Sequence, residues 1–460
     1  MNIYILIDRA VHFFNEKSKV MLVAHWTDHY GHCAEDLHFG LMRAKREGKK
    51  VFFILAWPQM LWGRSNKTNR ELCDVRSPYR FLGHHHPLSL CLGFIVAVTY
   101  GLLLAGYLLW RKILRGVGLA WPGLNIPPFY PWCYSPTFGR SNIYKPRGRD
   151  KFIWDAVSYE AEQWRKVREE PLGVYLALEK HQRAEKRRIE MGIPLKDQFV
   201  CLHVRESGFH ADAQFVNSRN ASINSYIPAL KRITERGMWV VRMGDPSMKP
   251  LPPIEGVIDY SHAPFRSPLM DIYLKSQCEF FFGSTSGAIS AARLFGKREV
   301  VANLAGWTFS FPLRHGDLAI TKHIFSKKHN RYLSLREVLE EPFECQSNPL
   351  GADYRTQENT PDEIADLLED FLITPPEAPR SELQNYFNEA HKKALRRWLD
   401  EITLLHPSSM VSDLDKYRAV ALGYSSCGAI AAGFLNKNWH RSSRQDGGLP
   451  ADMAGASLHS

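Results

Sequence analysis

The sequence predicts an α/β protein of two Rossmann-like domains, with a hydrophobic insertion in the first and helices after the second. Three observations carry this. Short apolar runs alternate with helical stretches from residue 19 and again from residue 194, the pattern of parallel sheets covered by helices. Leu88 to Trp110 holds no charged residue. Beyond residue 346 the strong segments have helical periodicity.

In chain order, residues 1–18 are a short lead-in, and Lys19–Ala24 reads as the first strand. Asp8 and Arg9 interrupt the apolar start, so it does not read as a secretory signal. Tyr30-Gly31-His32 is the turn after the strand, Ala34–Arg46 a helix stopped by Gly48, and Lys50–Leu55 the second strand. No G-x-G-x-x-G is present, so this is not a dinucleotide fingerprint. The first domain spans 19–193. Its insertion, 88–110, is long enough for a bilayer. Arg64, Lys67, Arg70, Arg76 and Arg80 precede it, and Arg111, Lys112 and Arg115 follow. Basic flanks on both sides keep both ends cytosolic, which favours a monotopic or re-entrant insertion with a bend at Gly101 or Gly106. His84-His85-His86 reads as a polar loop rather than a metal site. Residues 121–150 are a Pro- and aromatic-rich connector, and 155–191 form two charged helices divided at Pro171 and Gly173.

The second domain, 194–345, has strands at Phe199–His203, Trp239–Arg242, Val257–Asp259, Glu279–Phe282 and Glu299–Asn303. Helices fall at Ile223–Arg236, Pro268–Ser276 and Ala288–Phe295. Helices Pro361–Phe371, opened by Thr360, and Ser381–Leu405 occupy 346–439 and are expected to cross back to the first domain. Residues 440–460 read as a disordered tail. A net charge of +11 suits a phosphate-bearing ligand or an anionic membrane surface. No nucleic-acid-binding signature is present. Eight scattered cysteines without a C-x-x-C pair read as reduced core residues.

Ligands in open α/β sheets bind past the carboxyl ends of strands. The first strand of the second domain runs into His203 and Arg205, and a guanidinium there can grip phosphate bidentately. Arg242 ends the next strand. Ser284, Thr285 and Ser286 enter a helix whose N-terminus would offer free N–H groups to a diphosphate. Arg219, in a polar segment, fits either a second phosphate contact or a solvated loop residue. His-x-Arg after a strand, Asp271, and the Phe281-Phe282-Gly283-Ser284-Thr285-Ser286 loop resemble the donor site of the fucosyltransferase-like enzymes of the GT-B fold. The run from Phe199 to Trp307 is more similar still to a bacterial family of glycosyltransferases related to them. Tyr30-Gly31-His32 and Gly433–Asn438 share the resemblance, whereas Glu206-Ser207-Gly208 departs from the fucosyltransferase pattern.

The resemblance implies a GT-B-like glycosyltransferase that moves a sugar, with inversion, from a nucleotide-diphosphate donor to a glycan or lipid-linked acceptor hydroxyl. Arg205, Ser284, Thr285 and Ser286 would bind the diphosphate. His203 would orient Arg205 or line the sugar pocket, and Asp271 would stand near the donor or simply begin its helix. Positive groups can replace a metal ion in stabilising the leaving diphosphate, and no Asp-x-Asp lies in a strand-end loop, so metal-independent transfer without a cofactor is expected. An inverting transfer needs a base. Glu35, then His32, are the candidates, although Glu35 and Asp36 also fit a role at the helix start. The expected place is the cytoplasm, at the inner face of the cell membrane. A nucleotide-sugar epimerase on the same architecture and a non-catalytic membrane-associated protein are the alternatives.

Overall fold

The computed structural model describes residues 17–25, 30–55, 69–78, 81–82, 86–117, 171–206, 218–307, 312, 314–346, 350–405 and 428–440. The lead-in before 17, the connector 121–150 and the tail beyond 440 lie outside them.

The first unit holds β1 (Val20–His25), α1 (Tyr30–Glu47), β2 (Lys50–Leu55) and β3 (Phe81–Leu82), with its three strands parallel in the order β1-β2-β3. The expected turn at Tyr30-Gly31-His32 is already the first turn of α1. Gly48, at φ +60°, ends that helix as expected.

Helix α2 (Pro87–Gly116) is one unbroken helix of 30 residues, about 45 Å long at 1.5 Å per residue. The helix runs through Gly101 and Gly106 without interruption, so the segment is not a helical hairpin turned at either glycine. Its described side chains include Phe94, Ile95, Leu102, Leu109 and Trp110, all exposed. The His86 Nδ1 accepts the Leu88 N–H at the helix start; His84 and His85 lie outside the described residues. Among the described residues, which include about half of the α2 side chains, no helix is long and apolar enough to cross a membrane.

After α3 (Leu178–Glu190) the second unit begins: β4 (Phe199–His203), α4 (Ile227–Glu235), β5 (Trp239–Arg242), β6 (Val257–Ile258), α5 (Pro268–Gln277), β7 (Phe280–Gly283), α6 (Ala288–Leu294), β8 (Arg298–Leu304) and β9 (Leu318–Thr321). The expected strand and helix positions hold to within a residue or two, except that the first turn of the 223–236 segment is a 3-10 turn. A small antiparallel sheet, β10 (His323–Ser326), β11 (Arg331–Tyr332) and, after α7 (Leu335–Glu340), β12 (Tyr354–Gln357), was not foreseen. Then come α8 (Pro361–Ile373), α9 (Glu382–Leu405), β13 (Ala429–Ile430) and α10 (Ala432–Asn438). Thr360 and Glu363 form a capping box at the start of α8.

The large sheet is parallel throughout, in the order β13-β9-β8-β7-β4-β5-β6. β4 and β7 are its middle strands and are apolar and buried almost end to end, as a doubly covered parallel sheet requires. Chain order reverses between them, because β5 and β6 run out to one side of β4 and β7, β8 and β9 to the other. That reversal is the topological switch point of the sheet.

Helices α8 and α9 pack on the second unit, α8 against α4, β8 and β9, and α9 against α7, α10 and β13. Gln384 and Asn388 of α9 donate to the Ile430 and Gly428 carbonyls. The bridge to the first unit that was expected of these helices is made instead by α1 packing on α6. Along that seam Gly31 meets Gly287 so closely that a Cβ on Gly31 would stand 2.6 Å from the Gly287 Cα.

Candidate functional site

The site is built at the switch point. His203 at the tip of β4 lies beside Gly283 at the tip of β7. A Cβ on Gly283 would fall 1.9 Å from the His203 carbonyl oxygen, so the strands can approach only with glycine there. The Ser284 Oγ, fully buried, accepts the backbone N–H of Arg205 at 2.8 Å. The Thr285 Oγ1 accepts the Ala305 N–H at 3.3 Å, which joins the end of β7 to the end of β8. These two hydroxyls thus set where the strand tips stand.

Arg205 is half-buried and forms no ion pair among the described residues; its Nε is buried without an acceptor among them. Burial alone pulls its pKa down. Arg219 lies close by: its pKa falls to about 10, first through burial and then through the Arg205 charge. Two guanidiniums this near one another, in a partly dehydrated place, favour an anion between them. Arg219 is half-buried rather than fully solvated.

His203 is fixed by a 3.1 Å hydrogen bond in which its Nδ1–H donates to the Met243 carbonyl. Burial, with Lys275, Arg205 and Arg242 acting in the same direction, lowers its pKa to about 4. It is a neutral imidazole at the cleft edge.

Arg242 is not available to a ligand. Its side chain is fully buried and donates to the Lys249 carbonyl at 2.6 Å, Asp259 at 3.0 Å and Glu206 at 2.7 Å. Two carboxylates neutralise it, which corrects the expectation that it faces the donor. Asp271 stands in the first turn of α5, where it accepts the Tyr260 hydroxyl at 2.9 Å.

The expected diphosphate cradle at the start of α6 also differs. That helix is only seven residues long, the Ser286 Oγ accepts the Ala288 N–H at 3.2 Å, and Gly31 covers Gly287. Ser284 and Thr285 act on the strand tips, and the Ser286 hydroxyl is taken up by the turn that leads into the helix, whose N-cap is Gly287. Glu35 lies one turn along the same seam, where its Oε1 accepts the Ser290 hydroxyl at 3.2 Å. His32 is in the first turn of α1; its side chain lies outside what the structure describes. Lys275 packs over the Tyr30 ring at 5.0 Å.

Beyond the tip of β8 lies a small pocket, with room for about one water molecule, lined by Leu304, Ala305, Gly306, Trp307, Lys322 and Gln346, among others. Ser218, next to Arg219 in the chain, also lines it, and the Lys322 Nζ donates to the Asn220 carbonyl. The wall is shaped by Asn303, at φ 54°, which exchanges backbone-to-side-chain bonds of 2.7 Å with Asn359 in both directions. Neither Gln346 nor Lys322 was foreseen from the sequence, where nothing in spacing marks them.

No family model matches the chain, and no curated protein matches it. Two solved structures show a weak likeness to the chain. One is a glycosyl transferase family 9 protein from Veillonella parvula DSM 2008, 11% identical, with a TM-score of 0.38 over 77% of this chain and 97% of that one. The other is the dodecameric iron-containing heptosyltransferase TibC in complex with ADP-D-beta-D-heptose, also 11% identical, with a TM-score of 0.29 over 63% of this chain and 59% of that one. Neither is described as a fucosyltransferase, and neither is near enough to assign a reaction to this chain.

Proposed function

We propose that this protein is an inverting, metal-independent glycosyltransferase that moves a sugar from a nucleotide-diphosphate donor to a glycan or lipid-linked acceptor hydroxyl. The observation that carries the reading is the Arg205–Arg219 pair at the switch point of a doubly wound sheet. Arg205 has no carboxylate partner among the described residues, and the two charges repel. A diphosphate placed there would lie beside both positive charges, and its departure from the sugar carbon is stabilised by the same charges. Glu35 is the proposed base for the acceptor proton, with His32 as the alternative; Glu35→Gln tests it, since a base variant lowers kcat while donor affinity stays. We propose further that α2 brings the enzyme to the inner face of the cell membrane, where a lipid-linked acceptor would lie. Its exposed apolar side chains and basic flanks support this. Flotation of the full chain with anionic vesicles tests it, and a protein that stays at the bottom of the gradient removes it.

The decisive experiment is a thermal-shift screen of GDP, UDP, dTDP and CMP on the wild type and Arg205→Ala. A ligand at about 100 times its Kd stabilises by roughly 2.7 kcal/mol. One diphosphate should do so and fail on the variant. If no nucleotide binds the wild type, the donor reading is wrong.

A further inference from the structure

We infer that Lys322 is a positioning residue of the anion site: from the tip of β9 it holds the chain at Asn220, and so sets the Arg219 guanidinium beside Arg205. This rests on the donor reading above and names what keeps its two positive groups together.

Two guanidiniums repel, so the pair stands only where the backbone around it is fixed by something else. Arg205 is fixed by its strand and by the Ser284 hydroxyl. Arg219 lies outside the strands and the α-helices. What holds it is a run of three ties on the residues that follow. The Asn220 carbonyl accepts from the Lys322 Nζ. The Ala221 N–H donates to the Arg205 carbonyl at 2.9 Å. The Ser222 N–H donates to the Glu358 carboxylate at 2.8 Å. The middle tie joins the two arginine-bearing segments, and the outer two keep the later segment from turning about it.

Lys322 is buried, and its own N–H donates to the Leu304 carbonyl at 3.2 Å, which anchors its base at the end of β8. Among the described residues its Nζ makes one hydrogen bond, the one to Asn220. Burying an ammonium costs free energy; burial pulls the Lys322 pKa down while the Glu358 charge acts the other way. A hydrogen bond from an ammonium is stronger than one between neutral groups, and it offsets part of that cost only while Asn220 stays in place. Packing alone would be served by an uncharged side chain of the same length. The charge is accounted for by the hold on the residue next to Arg219.

The test is a double-mutant cycle, read by calorimetric titration of the full chain with inorganic pyrophosphate at low ionic strength, where weakened variants still bind measurably. Lys322→Met should weaken binding by at least about 5-fold in the wild-type background and by less than about 2-fold in Arg219→Ala, the non-additivity expected when one residue acts through another. Cooperative urea unfolding checks that each variant is folded; should Lys322→Met not fold, Lys322→Gln takes its place in the same cycle. Equal factors in the two backgrounds, or no loss in either, would show that Lys322 does not act through Arg219, and the assignment is then wrong while the anion site stands. If pyrophosphate does not bind the wild type, the donor reading falls with it.

Discussion

The backbone N–H of Arg205 is held by the hydroxyl of Ser284 at 2.8 Å. One bond between the tips of two neighbouring parallel strands thereby fixes the residue on which an anion site depends. Ser284→Ala leaves that N–H without its partner. We expect a loss of about 1–3 kcal/mol in stability, read by urea unfolding, and weaker pyrophosphate binding because Arg205 is no longer held in place.

Arg219 and Arg242 should part company when truncated. Arg219→Ala removes a charge-assisted interaction of about 1.5–3 kcal/mol, roughly 10- to 100-fold in pyrophosphate affinity, with a smaller loss of Tm than Arg242→Ala. Arg242→Ala leaves Glu206 and Asp259 beside a buried hole and should cost about 3–5 kcal/mol of stability. Equal Tm values for the two variants would contradict this division.

At the seam between the units, Gly31→Ala would push a methyl to 2.6 Å from the Gly287 Cα. Overpacking of this kind costs about 1–3 kcal/mol, and unfolding measurements should show it. Gly106→Ala, where a Cβ meets nothing within 4 Å, is the control and should instead gain up to about 1 kcal/mol of helix stability.

Burial of His391 among Trp307, Phe387 and Trp398 lowers its pKa to about 3. Below about pH 6.5 the unfolded chain takes up a proton there that the folded chain refuses until about pH 3. The stability of the protein should therefore fall as pH drops through that window. His391→Phe should flatten the slope by up to about 1.4 kcal/mol per pH unit. An unchanged slope would show that this ring is not what makes the fold acid-sensitive.

The large sheet was readable because its strands are continuous apolar runs bounded by turns, as with Phe199–His203 and Phe280–Gly283. The small sheet was not, since Arg331–Tyr332 and Tyr354–Gln357 are too short and polar to stand out. The site was half legible. Arg205 showed itself by following a strand. Arg242 sits in the same sequence context, yet its neighbours in space, Glu206 and Asp259, decide its role, and periodicity does not register them. The hydroxyls of Ser284, Thr285 and Ser286 were visible as a loop, but which way each turns depends on Gly31, more than 250 positions earlier in the chain. The resemblance to fucosyltransferase-like enzymes drew attention to the strand ends at the switch point without fixing the reaction.

Arg242 is closed off from the cleft, yet it shapes what the cleft can attract. Glu206 is the residue after Arg205, and left to itself its carboxylate could cancel the neighbouring guanidinium. Arg242, itself fully buried, pairs with it and with Asp259, both of them half-buried. The pairing keeps the Glu206 carboxylate occupied at Arg242 rather than at Arg205. Replacing Arg242 would then weaken binding of pyrophosphate at the proposed site by freeing Glu206 to neutralise Arg205.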